Sequence, residues 1–158
     1  MTVFLGTFEN KVDRKGRVSV PSAFRDAIAD QSFHGIVGFP SYRHPAIECC
    51  GMDLMADLGE TMTDHDLFSD DHDDLATTIF ADCQQLAFDG QGRVMLPQPF
   101  MEHAGIQHDA AFVGKGKLFQ IWDPKTLEDH KKGARQRAKE RGLTLSLKPG
   151  QAHGGSAP

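Results

Sequence analysis

The chain contains an internal repeat at an offset of 76 residues. The segment 13–24, DRKGRVSVPSAF, aligns with the segment 89–100, DGQGRVMLPQPF, and six of the twelve positions are identical. The same offset places residues 36–38 on residues 112–114. Self-similarity at a fixed period indicates one structural unit that is used more than once. We therefore expect two copies of one unit.

Each copy has the pattern of two strands, a short helix and two more strands. In the first copy, Phe4, Phe8 and Val12 recur on one face of an extended run, and residues 13–16 are turn formers. Pro21 favours a helix start, because proline cannot donate to a strand ladder. The predicted elements after the first strand are a strand over 17–20, a helix over 23–28, and strands over 34–39 and 46–50. In the second copy they are strands over 86–88, 94–96, 110–113 and 118–122, and a helix over 97–104 closed by Gly105.

Neither copy has enough apolar strand surface to be stable alone, so we expect the two to pack or interleave into one fold. The fold class that follows is mixed α+β and β-rich, with two tandem ββαββ repeats in a pseudo-twofold barrel and a C-terminal helix. Leu75, Ile79 and Cys83, spaced by four, indicate a connector helix. Asp123–Pro124 is a helix start and Gly142 a stop. The predicted segments are 1–51 (first repeat), 52–83 (acidic helical connector), 84–123 (second repeat), 124–142 (basic helix) and 143–158 (flexible tail, whose last ten residues, 149–158, have no large apolar side chain to bury).

Charge is segregated along the chain. Residues 48–82 contain eleven Asp and Glu residues and no Lys or Arg, so this segment carries −11 within a chain of net charge −5, and the remainder carries +6. Basic residues cluster over 11–25 and again over 125–141. Such runs often only keep a surface solvated. The two basic clusters could also bind a polyanionic partner, although the net charge of the chain is negative.

Composition and motifs exclude several classes of protein. The apolar runs are short, and residues 1–4 lack the pattern of a secretory signal, so we expect no membrane segment and a cytoplasmic location. Cys49, Cys50 and Cys83 form neither a disulfide framework nor a CxxC metal pair. Residues 114–117, GKGK, lack the P-loop spacing and indicate a hairpin turn. We expect no catalytic residue, no metal and no cofactor, with one open alternative: a metal-dependent enzyme that uses the Asp- and His-rich segment 64–74.

The first of the two repeated turns is the candidate for contact with DNA. Arg14, Lys15 and Arg17 lie within four residues at a hairpin tip, and Gly16 lets the backbone turn tightly. Lys and Arg at such a tip suit DNA phosphates, and Arg is the commonest reader of guanine. The equivalent positions of Arg14 and Lys15 in the second turn are Gly90 and Gln91. We therefore expect the first turn to make most of the DNA contact.

A structural role competes with this interpretation. Both copies retain the turn residues Asp13 and Gly16, or Asp89 and Gly92, together with Arg17 or Arg93. Features common to both copies tend to serve the scaffold, so each Asp and Arg pair could bind within its turn or across the repeat axis. Arg93 is kept as a candidate for DNA contact, with this alternative open.

The doubled turn resembles a known signature. The segments 13–17 and 89–93, each followed by an apolar pair and a proline, resemble the repeated Asp-x-[Lys/Gln]-Gly-Arg motif of the MraZ family, and Phe4-Leu-Gly6 and Phe119-Gln-Ile-Trp122-Asp123 are also similar to it. The resemblance covers about residues 3–140. It implies an AbrB-like swapped-hairpin fold and a ring-shaped homo-oligomer. It further implies a nucleoid-associated transcription regulator that binds double-stranded promoter repeats of the cell-division and cell-wall gene cluster. A structural oligomer that docks proteins and leaves the basic turn unused is the remaining alternative.

Overall fold

A computed structural model describes residues 3–62 and 67–146 of the chain. The first copy of the repeated unit contains β1 (Thr7–Lys11), β2 (Arg17–Ser19), α1 (Ser22–Ala27), β3 (Gly35–Pro40) and β4 (Ala46–Cys50). The second contains β5 (Gln84–Ala87), β6 (Arg93–Met95), α4 (Gln98–Ala104), β7 (Asp109–Gly114) and β8 (Phe119–Trp122). The predicted order of two strands, helix and two strands occurs twice, and the mixed, β-rich fold class is confirmed.

The strands of the two copies are interleaved. Six strands form one antiparallel sheet in the order β1-β7-β8-β4-β3-β5, and β2 pairs with β6 as a separate two-stranded ribbon. The first strand of each copy pairs with the third strand of the other, with Phe8 opposite Phe112 and Leu86 opposite Ile36. Each copy therefore completes the sheet of its counterpart, as the shortage of apolar strand surface in one copy requires.

The main core lies between the sheet, the ribbon and helices α1 and α4. Phe4, Phe24 and Phe119 meet there, with ring centroids 4.8–5.3 Å apart. Two phenylalanines are exposed at the surface. Phe68 is 94% exposed, and Phe8, on an edge strand, is 39% exposed while its ring meets Phe24 edge-on.

The connector between the copies is helical but irregular. It contains α2 (Met52–Met62), α3 (Asp70–Ala76) and a π-helical segment, Thr77–Ala81. The wider π turn rotates the apolar face, so Phe80 joins Ile79 and Cys83 in packing near Met55, while Leu75 is exposed. The expected face of Leu75, Ile79 and Cys83 is therefore correct at two positions and wrong at Leu75.

Helix α5 (Pro124–Arg141) begins and ends as predicted. The Asp123 carboxylate accepts a hydrogen bond from the Thr126 backbone N–H (3.3 Å), and Gly142 follows the last turn with φ +60°. The boundary between two compact units of the chain falls inside this helix, after Leu127. The five-segment division of the chain stays a prediction, and most of the predicted flexible tail lies outside the described residues. Within the described ranges, no helix combines the length and hydropathy required to cross a bilayer.

Candidate nucleic-acid interface: the ribbon and its two turns

The β2–β6 ribbon has one buried face and one exposed face. Val18 lies opposite Val94, and both are 1% exposed. Residues that are directly opposite or two apart share a face of an antiparallel pair. The outward face of the ribbon therefore carries Arg17, Ser19, Arg93 and Met95. Both signature arginines thus project from the same side, although their turns lie at opposite ends of the ribbon.

Asp13 organises the first turn, residues 13–17. Its Oδ1 accepts hydrogen bonds from the backbone N–H groups of Lys15 and Arg17, both at 2.9 Å. Its Oδ2 accepts from Arg17 Nε at 2.6 Å. One carboxylate therefore shapes the turn and orients the arginine that leaves it. The side chains of Arg14 and Lys15 are exposed beside it.

Asp89 does the same in the second turn, residues 89–93. Its Oδ1 accepts from the backbone N–H groups of Gln91 (2.8 Å) and Arg93 (3.0 Å), and its Oδ2 accepts from Arg93 Nε at 2.8 Å. The two turns are equivalent in every one of these bonds. They differ in the exposed pair at the tip, which is Arg14 and Lys15 in one and Gly90 and Gln91 in the other.

The glycine that recurs in both turns is required by backbone geometry. Gly16 and Gly92 have φ of +86° and +75°, a region that side-chain-bearing residues rarely adopt. The Gly16 carbonyl accepts from Leu96 N–H (2.9 Å), and the Gly92 carbonyl accepts from Val20 N–H (3.1 Å). Each turn is therefore attached by its glycine to the strand that leads into the other copy's helix.

The hydrogen bonds at each turn lower the pKa of its carboxyl group. For Asp13 the largest cause is the backbone N–H of Arg17, helped by the Arg17 guanidinium and the Lys15 N–H, while partial desolvation opposes the lowering of the pKa. The pKa of Asp89 is lowered in the same way, chiefly by the Arg93 backbone N–H. Both groups are therefore ionised at neutral pH, and each Asp and Arg pair is a true ion pair.

The structure shows how the signature residues pair within each turn. Each Asp binds the Arg of its own turn, not the Arg across the repeat axis. Each ion pair uses only Nε, and the structure shows no acceptor among the described residues for the terminal nitrogens of Arg17 or Arg93. These two side chains are 34% and 28% exposed. A local structural role and contact with a ligand are thus compatible for the same arginine.

Sequence reasoning did not select Arg25 as a site residue. Its Nε donates to the Val20 carbonyl (3.1 Å), and its guanidinium lies against Gly92 of the second turn. The offset of 76 pairs it with Met101, whose sulfur lies near Gly16 of the first turn. The repeat alignment could have drawn attention to this position, but contact between the helix of one copy and the turn of the other depends on the interleaved topology.

The alternative sites have less support. The described part of the acidic connector joins no group of three or more His, Cys, Asp or Glu side chains placed to hold a metal ion, and residues 64–66 of the candidate segment lie outside the described residues. The segment 114–117 is the hairpin turn that was predicted, closed by a hydrogen bond from Lys115 N–H to the Leu118 carbonyl (2.8 Å). The pKa values of Cys49 and Cys50 are raised by burial, that of Cys50 to about 12, which makes neither a ready nucleophile.

Comparison with known proteins places this geometry in a family. A protein named transcriptional regulator MraZ from Rickettsia akari (strain Hartford) is 44% identical over 145 residues, which is 92% of this chain and 97% of the relative. The chain belongs to the MraZ family. Two further MraZ regulators, from Rickettsia canadensis (strain McKiel) and Rickettsia bellii (strain OSU 85-389), are 43% and 42% identical, each over 92% of this chain and 97% of the relative.

A family model agrees with these relatives. The model described as MraZ protein, putative antitoxin-like, matches residues 79–143, which contain the second MraZ turn and helix α5. The resemblance inferred from the two turns is therefore confirmed. Because the relatives carry the name of a regulator, they also agree with the expectation that this MraZ protein is not an enzyme.

Proposed function

We propose that this chain is a sequence-specific DNA-binding transcription regulator that uses the outward face of the β2–β6 ribbon. The observation that supports this most is the pair of arginines on one exposed face, each fixed by an aspartate in a glycine-containing turn. The naming of its relatives as transcriptional regulators points to the same function. Arg14, Lys15, Arg17 and Arg93 are the proposed DNA contacts, and Asp13, Gly16, Asp89 and Gly92 form the turns.

The geometry suits the major groove. That groove is about 12 Å wide and admits a two-stranded ribbon. An arginine held at Nε keeps both terminal nitrogens in a fixed fork, which matches the O6 and N7 acceptors of guanine or two phosphate oxygens. Because the aspartates fix the side chains before binding, less rotamer entropy is lost when the contact forms.

One ribbon is too short to give high affinity. Each ribbon strand has three residues, a length of about 10 Å, which covers about three base pairs. Useful affinity therefore requires several copies bound to the same duplex. We propose a ring-shaped homo-oligomer that binds repeated promoter sites of the cell-division and cell-wall gene cluster, in the nucleoid of the cytoplasm.

The test is binding of the full-length chain to its own upstream DNA. Fluorescence anisotropy at several salt concentrations and footprinting should show protected, regularly spaced sites and a preference over a scrambled duplex. Size-exclusion chromatography with light scattering gives the subunit number. Equal and salt-insensitive affinity for both duplexes would contradict the proposal and favour the protein-docking oligomer, in which the ribbon does not contact DNA.

A further inference from the structure

We propose that Arg25 supplies the second turn with a phosphate-binding cation, so that Arg25 and Arg93 form a DNA-backbone site built from both copies. This inference rests on the proposed DNA-binding function. It assigns a role in binding to the turn whose sequence, with Gly90 and Gln91 at its tip, argues for little contact.

The first support is the contact between Arg25 and Gly92. A Cβ atom added at Gly92 would lie 2.6, 2.7 and 2.8 Å from Nη1, Cζ and Nε of Arg25. Three atoms of the guanidinium at nearly equal distances mean that its plane lies flat against the glycine. Arg25 thus occupies the space that a side chain at Gly92 would need. Gly92 is the residue that precedes Arg93 in the chain.

The second support is the comparison with the equivalent position. Each copy has a groove beside its turn-bearing strand, with a volume of about 520 Å³ in one and 420 Å³ in the other. Arg25 lines the first groove, and Met101 lines the second together with Arg14 and Lys15. Where the turn has its own exposed cations, the helix contributes an uncharged methionine. Where the tip of the turn has no cation, with Gly90 and Gln91 there, the helix contributes an arginine.

The charges of the two turns show what this exchange achieves. Residues 13–17 carry three cations and one carboxylate, whereas residues 89–93 carry only Arg93 and Asp89, which neutralise one another. Arg25 adds one positive charge beside this neutral turn, in a groove that Glu9 also lines. A phosphate needs such an excess cation, because the Asp89 charge offsets that of Arg93.

The third support is the state of the Arg25 guanidinium. Nε is fixed by the Val20 carbonyl, and the structure shows no acceptor for the two terminal nitrogens among the described residues. The side chain is partly buried, so its position is set by packing, while the fork remains available to a phosphate oxygen. If this side chain served only to fill the groove, a methionine would be sufficient, as Met101 is at the equivalent position of the other copy.

The experiment exchanges the two equivalent residues in the full-length protein. We expect Arg25→Met to weaken binding to operator and scrambled duplexes by the same factor of several-fold, and to reduce the slope of log K against log salt by about one. Met101→Arg should steepen that slope by a similar amount, and Arg25→Lys should restore most of it. Melting temperatures of all three variants measure the structural contribution separately.

The outcomes separate this inference from the proposed function. If the unmodified protein shows no salt-dependent DNA binding, the proposed function itself fails. If it binds and a folded Arg25→Met protein keeps the original affinity and salt slope, Arg25 is structural and the inference is wrong. Should Arg25→Met fail to fold, Met101→Arg decides, and an unchanged salt slope in that variant overturns the inference.

Discussion

At the scale of single residues, the aspartate of each turn links local folding to the placement of a cation. Asp13 receives two backbone N–H groups and one guanidinium N–H, so the same carboxylate that closes the turn also orients Arg17. Asparagine in its place could still accept the backbone bonds through its one carbonyl oxygen. It would lose the ion pair, which makes this substitution a selective probe.

The first prediction concerns the pH dependence of Asp13→Asn/Asp89→Asn. The folded-state pKa of both carboxyls lies below the ordinary value of 3.8, so their stabilisation is present above that value and is lost as pH falls through the folded-state pKa. We expect the double variant to melt at a lower temperature than the unmodified protein by a constant margin from pH 8 to about pH 5, and the margin to shrink below about pH 4. Thermal unfolding followed by circular dichroism measures this. A margin that grows on acidification would contradict the assigned ion pairs.

The second prediction concerns Arg17→Ala. If its free guanidinium nitrogens contact a base or a strongly held phosphate, the loss of binding free energy is about 1–3 kcal/mol. The matched control is Arg43→Ala, which removes an exposed arginine from the loop between β3 and β4. Operator affinity measured by anisotropy should fall for Arg17→Ala and remain unchanged for Arg43→Ala. Normal affinity in a folded Arg17→Ala protein, with only a lower melting temperature, would assign Arg17 to the scaffold alone.

These residues could be predicted from one sequence, because the internal repeat allows one half of the chain to be compared with the other. Asp13, Gly16 and Arg17 were identifiable by their recurrence as Asp89, Gly92 and Arg93. Whether each Asp pairs within its turn or across the repeat axis could not be decided from sequence, because both turns offer an arginine as a partner. Arg25 was missed for a related reason: its contact with Gly92 joins residues 67 positions apart through an interleaved topology.

At the scale of elements, the turns differ in charge more than in shape. Their hydrogen bonds agree to within 0.2 Å, yet only the first turn has exposed cations at its tip. Element boundaries were predictable where alternation, proline and glycine marked them, as at β2, α4 and α5. The π-helical segment after α3 was not, because a wider turn leaves no distinct residue pattern and depends on packing against β3.

The third prediction compares the two tips. Arg14→Ala/Lys15→Ala removes two exposed cations, so we expect a weaker complex and a slope of log K against log salt reduced by about two. Gln91→Ala, at the position equivalent to Lys15, should change neither quantity, because no charge is lost. Titrations at four salt concentrations provide both values. A Gln91→Ala effect as large as that of the double variant would show that the second tip reads DNA through its own side chains.

At the scale of the whole molecule, two features need explanation together: interleaved copies and segregated charge. The interleaving brings both signature arginines onto one face of a single ribbon, which two separate domains would not do. The segregation places −11 in residues 48–82, which run from the last strand of the first copy through the connector. Both the charge distribution along the chain and the repeat are visible directly in the sequence. The pairing of strands between the two copies depends on long-range packing, which charge patterns do not encode.

The fourth prediction concerns this acidic connector, whose carboxylates must coexist with a surface proposed for a polyanion. The four aspartates of α3 are exposed, and α3 runs directly into the π-helical segment. Charges oppose DNA only within about a Debye length, 8–10 Å in ordinary salt. If α3 lies farther than this from bound DNA, changing Asp70, Asp71, Asp73 and Asp74 to Asn should leave operator affinity within a few fold.

The same variant should lower the stability of α3 slightly. Three of the four aspartates lie in the first turn of the helix, where negative charge is favourable, and Ser69 caps that turn through the His72 N–H at 3.1 Å. Circular dichroism and anisotropy on one preparation therefore separate a folding effect from a binding effect. Ser69→Ala is the control, because it weakens the same helix without changing its charge. A large gain in DNA affinity in the Asn variant, absent from Ser69→Ala, would show that the connector competes with DNA for the ribbon and inhibits binding.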